Sequence, residues 1–570
     1  MTPNIPTPRP PMSRFLRTAV QASPLALLLS GFAVVGRRIR YDEWLGARPD
    51  RVFIEPLGPA DALLWAAGGV LLAAALAALP VLYRAVGRAR AMFRHPGQTP
   101  VRIRWWPMWS AGIFCAWVPY LLLYWPGVVL PDSFASIGPM LGERPLENHH
   151  PLAFTLFVGV FLHAGAFLGL SVTSSIALFS LTQMAIMATA LGYACLWLTR
   201  RTHATVVTAS AVAAFFAFTP VFAIYAINVQ KDPLFAVAIM LLCLLLSDAA
   251  ATNDGLRNPW TIARLALLAA WVSLWRNGGT VIVAACAVLL IFVWRRKAAR
   301  AVLSVLAALL AVTIAVSAAE ASGVTPAPQA EKLAVPLQQV ARAMYTDGEI
   351  SEDQAAVLEE VLPVERWREL YTPARVDAIK WAPDFDDEYL DAHTGRFLSV
   401  WLAMAPTNLG AYVEAWMLET FGFWAPGVKN GYGFIDTAVA ENPFGIERTP
   451  RVETLWGLTG DELAERLDYF GSGTLAWILL VSAFGVATSP RRRYVLAYAP
   501  LVLVWLAGLA ATPTAFSLRY VFSIALAVPL LLLAPLAAHA PPRTPVRGEG
   551  PQRAGRLWGS GGGEESTETQ

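Results

Sequence analysis

Residues 105–125, WWPMWSAGIFCAWVPYLLLYW, run for twenty-one positions without a charge. A helix needs about 20 mostly apolar residues to cross a hydrocarbon core of about 30 Å at about 1.5 Å per residue, and this stretch is long enough. Arg102 and Arg104 precede it, Tyr124 and Trp125 close it, and PGVVLPDS (126–133) follows. Aromatic rings at that position suit the headgroup level of a bilayer. The same reading, carried outward, finds apolar runs at 18–36, 60–83, 105–125, 173–198, 204–226, 232–250, 260–275, 278–294, 301–319, 473–488, 494–512 and 520–538. Twelve runs in 570 residues predict an all-α polytopic membrane protein. Composition agrees: only 15% of residues are charged, against about 25% in soluble domains, and mean hydropathy is +0.48. A net charge of +3 gives no global field for a nucleic-acid partner. Cys115, Cys195, Cys243 and Cys286 all fall inside apolar runs, without metal or disulfide spacing.

Lys and Arg stay on the cytoplasmic side of a membrane. Arg84, Arg88, Arg90, Arg94, Arg102 and Arg104 mark one inside loop, Arg200 and Arg201 a second, and Arg295, Arg296, Lys297 and Arg300 a third. Arg491, Arg492 and Arg493 mark a fourth, and the tail with Arg543 and Arg547 a fifth. These share one side if the apolar run 151–170, which starts at Pro151, lies at or dips into the outer interface. The loop 37–59 is an exception, with five Arg on the outside. The organisation expected is an N-terminal region with two spans (1–100), a transmembrane core (101–319) with its first outer loop at 126–172, and an extracytoplasmic loop region (320–472). C-terminal spans (473–540) and a disordered Pro-, Arg-, Gly- and Ser-rich tail (541–570) complete it. Residues 320–396 carry sixteen Asp or Glu against seven Lys or Arg. ISEDQAAVLEEVL reads as a capped helix, and 397–421 as two amphipathic helices on the outer surface, broken at Pro406.

Charged groups near membrane depth are costly and need a reason. Four polar points fall at the expected outer face: Asp132 with His149 and His150; Gln230 with Lys231 and Asp232; Arg276 and Asn277 before Gly278 and Gly279; and Arg519 with Tyr520. Helix capping, snorkelling or mutual neutralisation of Lys231 and Asp232 accounts for each point singly. Their gathering on one face points instead to a site for a phosphate-bearing ligand whose apolar part lies in the bilayer. A carboxylate at Asp132 can take a proton from a hydroxyl or hold a divalent cation. Guanidinium forks suit phosphate oxygens, and imidazoles can serve phosphate or metal.

The blocks WPGVVLPDS, NHHPLAFTL, QKDPLF, WRNGG, EKLAVPLQQVAR, YVEAWMLETFGFWAP and TPTAFSLRYVFS, in this order from about residue 117 to 525, resemble a bacterial family of polytopic membrane proteins grouped with the GT-C glycosyltransferases. The resemblance implies a GT-C-like fold with about twelve spans, interfacial helices and a helical outer loop region. It also implies transfer of a sugar from a polyprenyl-phosphate-linked donor to a cell-envelope glycan or lipid acceptor, on the extracytoplasmic face of the cell membrane. Asp132 matches the essential acid of the first outer loop. Arg276, Arg519 and Lys231 would then hold the donor phosphate, and His149 and His150 would line the donor or acceptor site. One early span too many precedes Asp132, which leaves the role of residues 1–100 open. A second acid would be Asp232 or lie in the long loop. The competing expectations are a transporter or flippase of a lipid-linked or anionic substrate, and an outer-face glycan polymerase or ligase.

Overall fold

The computed structural model describes residues 11–42, 49–92, 102–202, 204–251, 255–429 and 435–539; the expected tail at 541–570 lies outside them. The chain is almost wholly helical. Among the described residues the one sheet is an antiparallel pair of two-residue strands, β1 (Ile39–Arg40) and β2 (Phe53–Ile54). They close the turn between α1 (Pro11–Gly36) and α2 (Pro59–Met92). This is where arginines defy the charge rule, and three of the five are matched: Asp61 holds Arg38 at 2.8 Å and Arg37 at 3.3 Å, while Glu55 holds Arg40 at 2.6 Å.

Next come α3 (Trp105–Leu123), α4 (Pro131–Met140), α5 (Leu152–Phe167) and α6 (Val172–Arg201). The apolar run at 151–170 is therefore a helix of only 16 residues, packed between α4 and α6. Ser171 caps α6 by accepting from the Ser174 amide at 3.2 Å. Run 204–226 is not one straight helix: α7 (Val206–Phe218) and α8 (Pro220–Ala226) meet at a bend of 64°, because Pro220 lacks the amide that would continue the ladder. Then follow α9 (Lys231–Ala251), α10 (Pro259–Trp275), α11 (Gly279–Trp294) and α12 (Ala299–Ala321). Arg295, at φ 49°, breaks the course between α11 and α12, which pack on each other.

The region after α12 forms α13 (Ala334–Tyr345), α14 (Glu352–Glu359), α15 (Val364–Leu370), α16 (Asp377–Lys380), α17 (Asp387–Met404), α18 (Leu409–Thr420) and α19 (Gly460–Glu465). It has its own core around Leu358, Trp367, Leu390, Phe397 and Met404. The expected cap of α14 is present: Ser351 accepts from Gln354 N, and Gln354 Oε1 accepts from Ser351 N. The expected break near Pro406 separates α17 from α18. α18 buries Tyr412, Ala415, Leu418, Glu419 and Thr420 and leaves Leu409 and Val413 exposed. The chain ends with α20 (Ser472–Ala487), α21 (Ala499–Ala511) and α22 (Phe522–His539).

Eight helical stretches among the described residues are long and apolar enough to cross a membrane, or nine if the bent α7–α8 pair counts as one span. This is a multi-pass, all-α membrane protein. Of the twelve apolar runs, 204–226 is bent, 260–275 and 473–488 form helices of only 17 and 16 residues, and 278–294 and 301–319 count together as the one stretch Gly279–Ala321. The innermost spans are α9 and the stretch Leu518–His539, each 72% buried; the α1–α2 hairpin is peripheral. At one end of α9 stands Lys231. At the other, Asp248 binds Arg201 at 2.7 Å and accepts from Trp197 at 2.9 Å. A helical rise of about 1.5 Å per residue separates these ends by about 25 Å, so the second arginine cluster and the polar site occupy opposite ends of the bundle.

Candidate functional site

Three extended segments join side by side to frame the site. Val128 N donates to Ile227 O (3.0 Å) and Val229 N to Val128 O (2.9 Å). On the other side, Val129 N donates to Ala438 O (3.1 Å) and Ala440 N to Val129 O (2.8 Å). Gly127 makes the first contact feasible: it sits at φ +129°, and a Cβ there would lie 2.5 Å from Ile227 O. Ser133 Oγ accepts from Leu130 N (3.0 Å) and donates to Val229 O (2.8 Å), tying the first turn of α4 to the entry of α9. A fourth segment, 514–519, comes equally close to Gly422, where a Cβ would lie 1.9 Å from Ala515 O.

This frame brings the four sequence-distant points together. Arg519 Nη1 contacts Asp132 Oδ2 at 2.6 Å, and the Asp132 side chain remains 41% exposed. Arg519 also donates from Nη2 to the Tyr520 hydroxyl at 3.3 Å. Arg276 lies 3.6 Å from Asp232 Oδ1, whose side chain is only 2% exposed, and donates to Tyr520 O at 3.4 Å. The Tyr520 ring stands between both guanidiniums, 5.1 Å from Arg519 and 5.2 Å from Arg276. Lys231 and Asp232 do not neutralise each other by contact, since Asp232 is taken by Arg276. Lys231 Nζ instead meets His150 Nδ1 at 3.1 Å. Among the described residues, no carboxylate lies within ion-pair distance of Lys231.

An ammonium can only donate, so His150 Nδ1 accepts and its ring proton sits on Nε2. Burial and the Lys231 charge push the His150 pKa well below the usual range, so the ring stays neutral. Burial likewise lowers His149. At Asp132, burial acts to raise the pKa, but Arg519, His150 and Lys231 outweigh it and hold the carboxyl below its ordinary value. Asn277 donates to the backbone carbonyls of Asn148 (3.0 Å) and His149 (3.2 Å). It therefore holds the histidine loop in place.

The structure adds residues that the sequence reading passed over. Asp436, from the long loop, feels the charges of Arg519 and Asp132, and burial raises its pKa; it is the second carboxyl beside Asp132. Nothing in FIDTAVAENP marks it, because its place is set by the pairing of Val129 with 438–440. Lys380 reaches toward the site from α16, fixed by Glu331 (2.8 Å) and Asp377 (3.3 Å). Beneath, Gln183 Nε2 donates to Ala226 O (3.1 Å) and Asn228 O (2.7 Å), forming a buried polar floor. A guanidinium already neutralises the Asp132 carboxylate, and among the described residues no three His, Cys, Asp or Glu side chains converge as a metal site.

A family pattern matches residues 142–548, well over half of the chain. The chain belongs to the family of unknown function DUF6020. No curated protein and no solved structure matches it. The DUF6020 region includes His149, His150, Lys231, Asp232, Arg276, Arg519 and Asp436. It begins after Asp132, so the acid that Arg519 grips and the α1–α2 hairpin both precede it.

Proposed function

We infer that this protein is a membrane glycosyltransferase of GT-C-like architecture with twelve crossings. In this reading it moves a sugar from a polyprenyl-phosphate-linked donor to a cell-envelope glycan or lipid acceptor on the extracytoplasmic side. The observation that carries the reading is the contact of an exposed carboxylate, Asp132, with Arg519, in a cluster whose further cation, Lys231, has no carboxylate at contact. Asp132 and Asp232 are ion-paired, burial raises the pKa of Asp436, and Lys231 meets a neutral imidazole, which leaves a seat for an anion at Lys231. The first-turn amides of α9, which have no intrahelical acceptors, point the same way.

The donor phosphate binds at Lys231, Arg276 and Arg519, with its isoprenoid chain in the bilayer. As it engages Arg519 it competes with Asp132 for the guanidinium, and Asp132 regains basicity. Asp132 then takes the proton of the acceptor hydroxyl while its oxygen attacks the anomeric carbon. The bond from that carbon to the phosphate oxygen breaks, and the cations stabilise the departing charge. One displacement inverts the anomeric centre. Neutral His150 orients the Lys231 ammonium through its Nδ1 acceptor.

The test is Asp132→Asn, assayed in proteoliposomes with a lipid-linked sugar donor and a membrane-extract acceptor. Loss of a positioned base predicts a fall in turnover of about 10²–10⁴-fold with unchanged expression and insertion; near-normal turnover would remove Asp132 from the chemistry. The bend at Thr219–Pro220, just before the site, favours a second reading as a transporter of an anionic lipid, since broken helices mark such proteins. Transporter sites, however, sit near the midplane, whereas these charges gather at one end of α9.

A further inference from the structure

We propose that Trp381 is the stacking platform for a hexopyranose ring at the mouth of this site. The proposal rests on the sugar-transfer reading and states where its carbohydrate sits. An indole buries a large apolar area when it can, yet Trp381 is left 62% exposed. The other tryptophans so exposed among the described residues are Trp65, Trp260 and Trp456. Trp65 lies on the spanning helix α2, and Trp260 lies at the start of α10, where an indole suits the lipid interface. Trp456 packs edge-on against Tyr120. Trp381 alone of the four meets a residue of the site: its ring lies 5.9 Å from His149, edge to face.

The backbone beneath the ring is held, and a cation stands over it. Trp381 N donates to Asp377 O at 3.0 Å, closing α16. Lys380, itself fixed by Glu331 and Asp377, places its ammonium 5.4 Å from the indole. Beyond Trp381 the chain runs into a hollow of about 380 Å³ lined by Pro383–Glu388, with Asp384, Asp386 and Asp387 among its walls. An exposed aromatic face beside His149 and the Lys380 ammonium matches a pyranose, which offers a C–H face for stacking and hydroxyls for these polar neighbours.

Either substrate could supply the ring, so the full-length protein in nanodiscs is probed by saturation-transfer NMR with two panels. Methyl hexopyranosides stand for an acceptor and hexose 1-phosphates for the donor head. We expect at least one sugar to receive saturation on its C–H face, about threefold to tenfold weaker in Trp381→Ala and nearly retained in Trp381→Phe. The panel that responds names the substrate. Equal saturation in wild type and Trp381→Ala, or none for any sugar, overturns the platform. So does quenching by brominated lipids that vanishes in Trp381→Phe, which would make the residue an anchor. Binding is read here without turnover, so Trp381-dependent saturation in a protein inert toward lipid-linked donors would sink sugar transfer and leave the platform standing.

Discussion

Two carboxyl groups in this molecule are handled in opposite ways. Asp132 stands at an open mouth, gripped by Arg519, and its pKa is lowered. Glu419 on α18 is completely buried, and among the described residues neither of its oxygens has a hydrogen-bond partner. Burial raises its pKa well above the ordinary carboxyl range, and the nearby Lys380 is already shared between Glu331 and Asp377. The first acid is kept charged where a ligand can reach it. The second is kept neutral inside a protein core, where an unpaired charge would cost several kcal/mol. Burial alone therefore does not mark a reactive acid in this protein. The arrangement of cations does.

The sharpest way to break the contrast is to remove the cation. Arg519→Gln is expected to lower turnover by about 10²–10³-fold, the usual cost of losing one donor to developing charge. It also removes the strongest influence holding the Asp132 pKa down, so that pKa rises. A base must be ionised to work, and activity falls as pH drops through its pKa; the acid limb of the pH–rate profile of Arg519→Gln is therefore expected at higher pH than in wild type. An unmoved limb would show that Asp132 is not the titrating base. A smaller effect is expected for Asp232→Asn. If Asp232 only neutralises Arg276, its loss strengthens the anion seat, and donor KM falls by about twofold to fivefold at low salt with kcat retained. A collapse of kcat would instead make Asp232 a second catalytic acid.

The helices were legible because their signal is local, in apolar length and in the capped start of ISEDQAAVLEEVL; the bend at Pro220 was not read, since 204–226 is apolar throughout. The polar cluster was legible for a related reason. Charges are rare enough in this chain that Asp132, Lys231, Arg276 and Arg519 stood out against apolar runs. What could not be read was pairing. Asp232 goes to Arg276 rather than to its neighbour Lys231, and Lys231 goes to His150, eighty-one positions away, because both choices depend on how α9 meets the histidine loop. Asp436 and Trp381 come from polar, loop-rich stretches in which acids and aromatics are common. Only the bridge of Val129 to 438–440 and the contact of Trp381 with His149 set them apart. Three arginines of the first hairpin likewise defied the charge rule in sequence, and found their acids only once β1 met β2.

Glu419→Gln carries the smallest expected effect, and it tests the other half of the contrast. Gln is neutral and nearly the same shape, so a carboxyl that is already protonated loses little by the exchange. The sign of its pH dependence follows from linkage. The unfolded chain ionises Glu419 at the ordinary carboxyl pKa while the folded chain still holds the proton, so between the two values the native state binds more protons. Wild-type stability then falls as pH rises through that window, by about 1.4 kcal/mol per pH unit at most. Below the window the two proteins are expected to melt together. Above it, Glu419→Gln is expected to melt higher than wild type, with turnover in lipid vesicles unchanged. Thermal unfolding followed across pH checks this directly. A variant less stable than wild type at every pH would mean that Glu419 is charged and paired in the folded protein, and the distinction between the two acids would fail.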